Sequence, residues 1–319
     1  MSARRPFILR KERTFGQKIE GTFEFIRLTL KPLFKSLLFY TSPFVLVGMF
    51  LVSYLLNALI SFGINSNSGV LPDDEDLLML GLSLFGFMFL MVFAGTMIMA
   101  VVYSVIRVYE EKGDGDFTHK EVWAKLKKIY WPLLGTLFLY GIVFFVVYLI
   151  ILIPLTLVLA VLSFLALPIV YMVVGFFMII MFTAVGAQIF ERKSIGKALS
   201  RAFKLLRRNW WPSIGLFIVL MLIYNAITLI FSAPFYVNFF LQTLNRVEVD
   251  FMAEPSLFQQ LLSYVLSAIL LLGTFFSYSV PLVGMNLQYF HMSEVSDAKS
   301  LIQRIDQLGV KNEEEEEDY

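Results

Sequence analysis

From Pro132 to Phe190 the chain runs for 59 residues without a charged side chain, and no other feature constrains its fold so tightly. About 20 apolar residues at 1.5 Å rise cross roughly 30 Å of hydrocarbon, so a run this long predicts two membrane spans and a turn. Pro154 and Pro168 bracket the turn, giving spans over Pro132 to Ile153 and Ala166 to Phe190. Four more charge-free stretches follow the same logic: Leu37 to Phe62, Leu77 to Ile106, Pro212 to Phe231 and Leu261 to Tyr289. Pro281 is predicted to bend the sixth span, a defect that bundle neighbours or nearby hydroxyls can satisfy. Composition agrees, since 58% of residues are apolar and only 16% charged, and a soluble globule could not hide that balance. The predicted fold class is all-α, a polytopic membrane helix bundle with six transmembrane helices.

The placement of lysine and arginine sets the orientation, because short loops rich in them stay cytoplasmic. Of 26 basic residues, only Arg246 lies on the side opposite the others, an asymmetry that an odd number of spans would destroy. Both termini are therefore predicted in the cytoplasm. Residues 1–36 form a cytoplasmic segment with an interfacial helix, 37–292 the six-span membrane domain, and 293–319 a cytoplasmic acidic tail ending in Glu313 to Asp318. Like charges in such a block repel, which predicts a solvated end; a docking tail for a basic partner is the alternative. Met1 to Leu30 has no apolar core ending at a small-residue cleavage site, so no cleaved signal peptide is expected. The net charge of +1 gives no field to recruit nucleic acid.

Aligned on Pro32, Pro132 and Pro212, the six spans read as three hairpin-like repeats, each preceded by a basic amphipathic interfacial helix. Lys125, Leu126, Lys127, Lys128, Ile129, Tyr130 and Trp131 face Leu205, Leu206, Arg207, Arg208, Asn209, Trp210 and Trp211. The first copy matches less closely, with Phe23, Ile26 and Arg27 against Phe203, Leu206 and Arg207. In the third copy Ile195, Ala198, Leu199, Ala202, Phe203 and Leu206 recur at helical spacing, while Lys197, Arg201, Lys204 and Arg208 form a stripe on the other side. Ser194 is placed to cap that helix, and Thr14 with Gln17 and Thr118 with Glu121 have capping-box spacing. Each copy is predicted to turn at its proline into the membrane, since a proline in the first turn forfeits no helical bond.

Such helices rest an apolar face among the headgroups and offer Lys and Arg to anionic lipid, at about 1 kcal/mol per basic residue. The candidate lipid or protein-partner contacts are Lys125, Lys127, Lys128 and Trp131 in the second copy, and Lys197, Arg201, Lys204, Arg207, Arg208, Trp210 and Trp211 in the third. The plainer alternative is that they only anchor topology.

Catalytic and metal-binding patterns are scarce. The chain has no cysteine, which removes disulfides, zinc-thiolate sites and thiol catalysis. No Asp, Glu, Lys, Arg or His falls inside a predicted span, which argues against a proton-driven pump. His119 and His291 lack a second ligand at metal-binding spacing. Gly113 to Asp116 lacks the twelve-residue calcium-loop pattern and reads as a turn, and Asp73 to Asp76 reads as a solvated acidic patch. Asn225, Ser277, Ser279 and Asn286 are the candidate intramembrane polar site, with helix-to-helix hydrogen bonding as the alternative role. The aromatic segment Ser232 to Gln260 is expected to lie on or dip into the outer leaflet. No cofactor is expected.

Glu191 to Leu206, with Glu191, Ala198, Leu199, Arg201, Phe203 and Leu205 at its pattern positions, resembles the linker in the membrane domain attached to some glycerophosphodiester phosphodiesterases and in related six-span bacterial families. Ala202 stands where those families commonly have Ser. The resemblance implies a bacterial plasma (inner) membrane and a repeated hairpin architecture. It carries over no phosphodiesterase activity, because the soluble catalytic domain has no counterpart here. The expected function is a non-enzymatic scaffold or accessory subunit binding lipid or protein partners, with a transporter or lipid-translocating protein for a neutral or amphipathic substrate as the alternative.

Overall fold

A computed structural model describes residues 7–67, 74–153, 163–248 and 256–316. Among them the chain is helical, without a strand, and six helical stretches are long and apolar enough to cross a bilayer. The protein is a multi-pass membrane helix bundle.

The helix is interrupted ahead of two of the three aligned prolines. Helix α1 (Phe15–Leu28) stops at Thr29, whose N–H and hydroxyl both donate to the Phe25 carbonyl, at 3.0 and 2.8 Å, before α2 (Leu30–Asn67) begins. Helix α6 (Ile195–Leu206) ends at its cap Arg207, and in the turn that follows the Asn209 side-chain amide donates to the Leu205 carbonyl at 3.1 Å, before α7 (Trp210–Glu248). Pro32 and Pro212 are each the third residue of the new helix, where the missing N–H would have had no partner.

The remaining proline has no break before it: helix α4 (His119–Val147) runs unbroken through Pro132, which has no N–H to give the Lys128 carbonyl. Ile129 stands where Thr29 and Asn209 stand in the other segments, and it has no side-chain donor. Past Val147 the helix widens into one π-helical turn, Tyr148–Leu152.

Other boundaries also differ from expectation. Pro154 lies outside the described residues, and α5 (Ser163–Phe190) starts ahead of Pro168, so that proline is inside a helix rather than at the edge of the turn. The acidic residues Asp74, Glu75 and Asp76 open α3 (Asp74–Lys112), at the end of the helix where its dipole favours negative charge. Helix α7 runs through Pro234 to Glu248, which corrects the expectation that Ser232 onward leaves the fifth span. Phe235 is buried against Leu56 and Ile60, and the Asn238 and Gln242 amides both donate to Ser263 Oγ of α8 (Leu257–Ser277), at 3.2 and 2.8 Å.

The sixth span is interrupted close to Pro281. Helix α8 ends at Ser277, and α9 (Ser279–Glu316) restarts after Tyr278, three residues ahead of Pro281. Ser279 Oγ donates to the Phe276 carbonyl at 2.7 Å, supplying the hydroxyl that such a break requires. Helix α9 continues to Glu316, so the acidic tail is helical to that residue.

The core sits at one end of the bundle. Residues Val280 to Phe290 of α9 are almost all buried, and the helix is packed by α1, α3, α5, α6 and α7. Phe190 lies 6.0 Å from the Tyr289 ring and 4.7 Å from that of Phe290. This is the basic end, where α1, α6 and the start of α4 lie. Toward the far end α3, α4 and the π-helical turn after it expose Phe85, Met88, Phe138, Phe145 and Ile150, the surface that acyl chains cover in a bilayer.

Candidate functional site

The candidate site is the basic end. Helix α6 turns Ala198, Ala202, Leu205 and Leu206 into the bundle, all of them buried. Lys197, Lys204, Arg207 and Arg208 are exposed and make no ion pair among the described residues. Ser194 holds the extended N-cap conformation but makes no side-chain cap bond. One turn on, Trp211 is 82% exposed, whereas Trp210 packs edge-on against Phe176 at 5.3 Å.

Arg201 differs from the rest of that stripe. Its guanidinium pairs with Glu191 at 3.1 Å and Asp297 at 2.7 Å, with the side chain only 10% exposed. Glu191 also accepts from the Tyr289 hydroxyl at 2.6 Å and pairs with Lys193 at 2.5 Å. Burial alone would raise the Glu191 carboxyl, but the bonds from Lys193, Tyr289 and Arg201 outweigh it and hold the group below the usual carboxylate value. Arg201 thus fastens α6 to α5 and α9, and only its unpaired neighbours face outward. Arg192, beside this cluster, has φ 52°, a left-handed conformation that strains a side-chain-bearing residue. Gly113 takes the equivalent turn after α3 at φ 76° without that cost.

In the second segment Lys125 pairs with Glu111 at 2.6 Å and Lys112 with Glu121 at 2.8 Å. Lys127 lies 5.2 Å over the Trp123 ring, Lys128 is exposed, and Trp131 is 69% exposed. The Thr118 N–H donates to Glu121 and the Thr14 N–H to Gln17, as their spacing predicts. Two tyrosines link one segment to the next: Tyr40 of α2 donates to the carbonyl of His119 at 2.8 Å, and Tyr140 of α4 to that of Ile195 at 3.5 Å.

Sequence reasoning missed the docking of residues 7–13. The Phe7 N–H donates to the Tyr109 hydroxyl at 2.8 Å, Arg10 pairs with Glu110 at 2.9 Å, and the Arg13 N–H donates to His291 Nδ1 at 3.2 Å. The Arg13 guanidinium bonds the carbonyls of Leu9 and Ile8. Lys18, buried beneath this segment, is pushed down to about 8, first by desolvation and then by the Arg13 charge. No local signal in the sequence pairs Arg13 with a residue 278 positions away. Gly115 meets the Leu28 carbonyl so closely that a side chain there would collide with the end of α1, so the Gly113 to Asp116 turn is a docked one.

The intramembrane polar residues do not converge. Asn225 is exposed and donates to Met221 of its own helix at 2.7 Å; Ser277 and Asn286 likewise donate to Gly273 and Leu282. Ser279 bonds Phe276 across the break between α8 and α9, Asn286 also meets the Tyr103 hydroxyl of α3, and none of the four lines either of the two described pockets, of about 300 and 570 Å³. Cross-helix amide bonds come instead from Gln288 to Ser213 at 2.9 Å and from Gln188 to Thr136 at 2.8 Å. Among the described residues no group of three His, Asp or Glu side chains could hold a metal ion.

No curated protein and no solved structure matches this chain. A family model described as a domain of unknown function, DUF8558, matches residues 65–278, more than half of the 319. The match takes in α3 to α8, including the basic stripe of α6 and the unbroken α4. The chain belongs to the DUF8558 family.

Proposed function

We propose that this protein is a non-catalytic scaffold or accessory subunit of a bacterial plasma membrane, its basic end in the cytoplasm and bound to anionic lipid headgroups. The observation that carries the reading is α6, with one face buried and Lys197, Lys204, Arg207 and Arg208 unpaired on the other, next to the exposed Trp211. Basic residues beside an interfacial tryptophan meet anionic headgroups at the depth where both are favoured. The three-repeat reading supports it. Ten residues before each proline stand Thr22, Val122 and Ala202, all fully buried, and nine before stand Phe23, Trp123 and Phe203, all exposed. Arg27, Lys127 and Arg207 are exposed five before it. The same surface offers a docking place for a protein partner. The resemblance at Glu191 to Leu206 and the placement of the basic residues support the bacterial membrane and the cytoplasmic termini.

The test replaces Lys197, Lys204, Arg207 and Arg208 with Gln and compares lipids co-purified in mild detergent by mass spectrometry. The anionic fraction is expected to fall several-fold while the protein still inserts. An unchanged lipid profile leaves these residues with a topological role only. The break at Tyr278 favours a second reading, movement of a neutral or amphipathic substrate. Solute or lipid flux in reconstituted liposomes, blocked by bulky substitution at Ser279, would promote it.

A further inference from the structure

A second feature of the basic end lies between α2 and the start of α4. A groove of about 570 Å³ is walled by Phe39, Pro43 and Phe44 of α2, Met97 of α3 and Trp123 of α4, with Lys120 at its mouth. Tyr40 stacks on Trp123 with ring centroids 4.8 Å apart and planes 16° from parallel, and its hydroxyl is already taken by the His119 carbonyl. Pro43 leaves the Phe39 carbonyl without its helical donor, and the Ser42 hydroxyl fills that place at 2.9 Å. The walls therefore present mainly rings and methylenes, the His119 imidazole lying against the Phe39 ring at 5.8 Å, and they suit an apolar chain. The mouth suits an anion. No acidic side chain lines the groove, Lys120 is exposed without an ion pair among the described residues, and the neighbouring Glu121 is held by Lys112. Lys35 is exposed one helical turn before Phe39 and on the same face of α2. Phe39, 66% exposed, and Leu46, 57% exposed, extend the apolar wall along α2 toward the far end, over surface that faces the bilayer.

We propose that this groove holds one anionic phospholipid of the bilayer, an acyl chain against Phe39, Phe44 and Met97 and its phosphate on Lys120 and Lys35. This deepens the proposed lipid-binding function and rests on it for the choice of an anionic headgroup. The site is a specific pocket, whereas the α6 stripe is an open surface.

Tryptophan fluorescence tests it in the full-length chain. A variant carrying Trp131→Phe, Trp210→Phe and Trp211→Phe keeps only Trp123, and is placed in phosphatidylcholine nanodiscs doped with phosphatidylglycerol or phosphatidylcholine bearing dibrominated acyl chains. Brominated phosphatidylglycerol is expected to quench Trp123 at a several-fold lower mole fraction than brominated phosphatidylcholine, and Lys35→Gln with Lys120→Gln should erase the difference. Equal quenching by the two lipids, or a preference that survives both substitutions, overturns the proposal. A companion variant keeping only Trp211 reads the α6 stripe. A phosphatidylglycerol preference at Trp211 but none at Trp123 sinks the groove alone, and the reverse result upholds the groove while sinking the stripe.

Discussion

Three stretches of this chain carry a basic helix, a proline and a span, yet the helix is interrupted before the proline in two of them and runs on in the third. Thr29 and Asn209 stand three residues before Pro32 and Pro212 and bond a carbonyl with a side-chain donor, while Ile129 has none to give and α4 continues unbroken. Proline permits a helix to start, but it does not by itself end the helix before it. The ion pairs divide the same way. Arg201 anchors α6 through two acidic partners at 10% exposure, whereas Lys125 of α4 and its partner Glu111 of α3 are 32% and 55% exposed.

The largest effect should come from breaking that anchor. Arg201→Ala leaves the half-buried Glu191 carboxylate with Lys193 and Tyr289 alone and should cost about 2 kcal/mol, whereas Lys125→Ala should cost no more than about 1 kcal/mol, both read by thermal unfolding in detergent. Because the folded Glu191 carboxyl is held below its usual 4.5, the stabilisation is complete above that pH and is lost as the pH falls through the lowered value. The gap between parent and Arg201→Ala should therefore be full at neutral pH and close under acid conditions. A gap that persists in acid would assign the cost to lost packing of the Arg201 stem.

Next in size is Asn209→Leu, which removes one cap worth about 1 kcal/mol and should let α6 swing toward the axis of α7. The native chain has no cysteine, so spin labels at Lys197→Cys and Leu222→Cys report the angle cleanly. Their separation should lengthen toward the roughly 38 Å of a straight helix of that span. The smallest change is expected from Ile129→Thr, which supplies α4 with the donor it lacks. Labels at Lys120→Cys and Phe138→Cys should approach by a few ångströms, for a stability change within about 1 kcal/mol. An unchanged distance would show that the capping side chain does not suffice to make a corner.

Much of the architecture was legible in the sequence. Charge-free runs gave six spans because bilayer thickness fixes their length, and Pro281 gave the broken sixth because a missing N–H acts locally. What escaped was set by partners distant in the chain. Nothing near Arg201 distinguishes it from Lys204 or Arg208, and only the folded positions of Glu191 and Asp297 do so. Pro234 marks no boundary because α7 gains Phe235 and Asn238 contacts by continuing. Asn225 and Asn286 looked like members of one site by type and depth, but whether amides converge depends on helix rotation, which hydropathy does not encode.

The docking of Arg13 on His291 and of Arg10 on Glu110 also orders the protein's biogenesis. Tyr40 and Tyr140 let each newly made helix start be received by a span already inserted, so the bundle can grow as it leaves the ribosome. The berth for α1 is different, since half of it is α9, which is made last. The oldest stretch of the nascent chain must therefore wait, its lysines and arginines held at the membrane surface, until the sixth span arrives. Closing a loop of that length makes this step slow compared with the local ones.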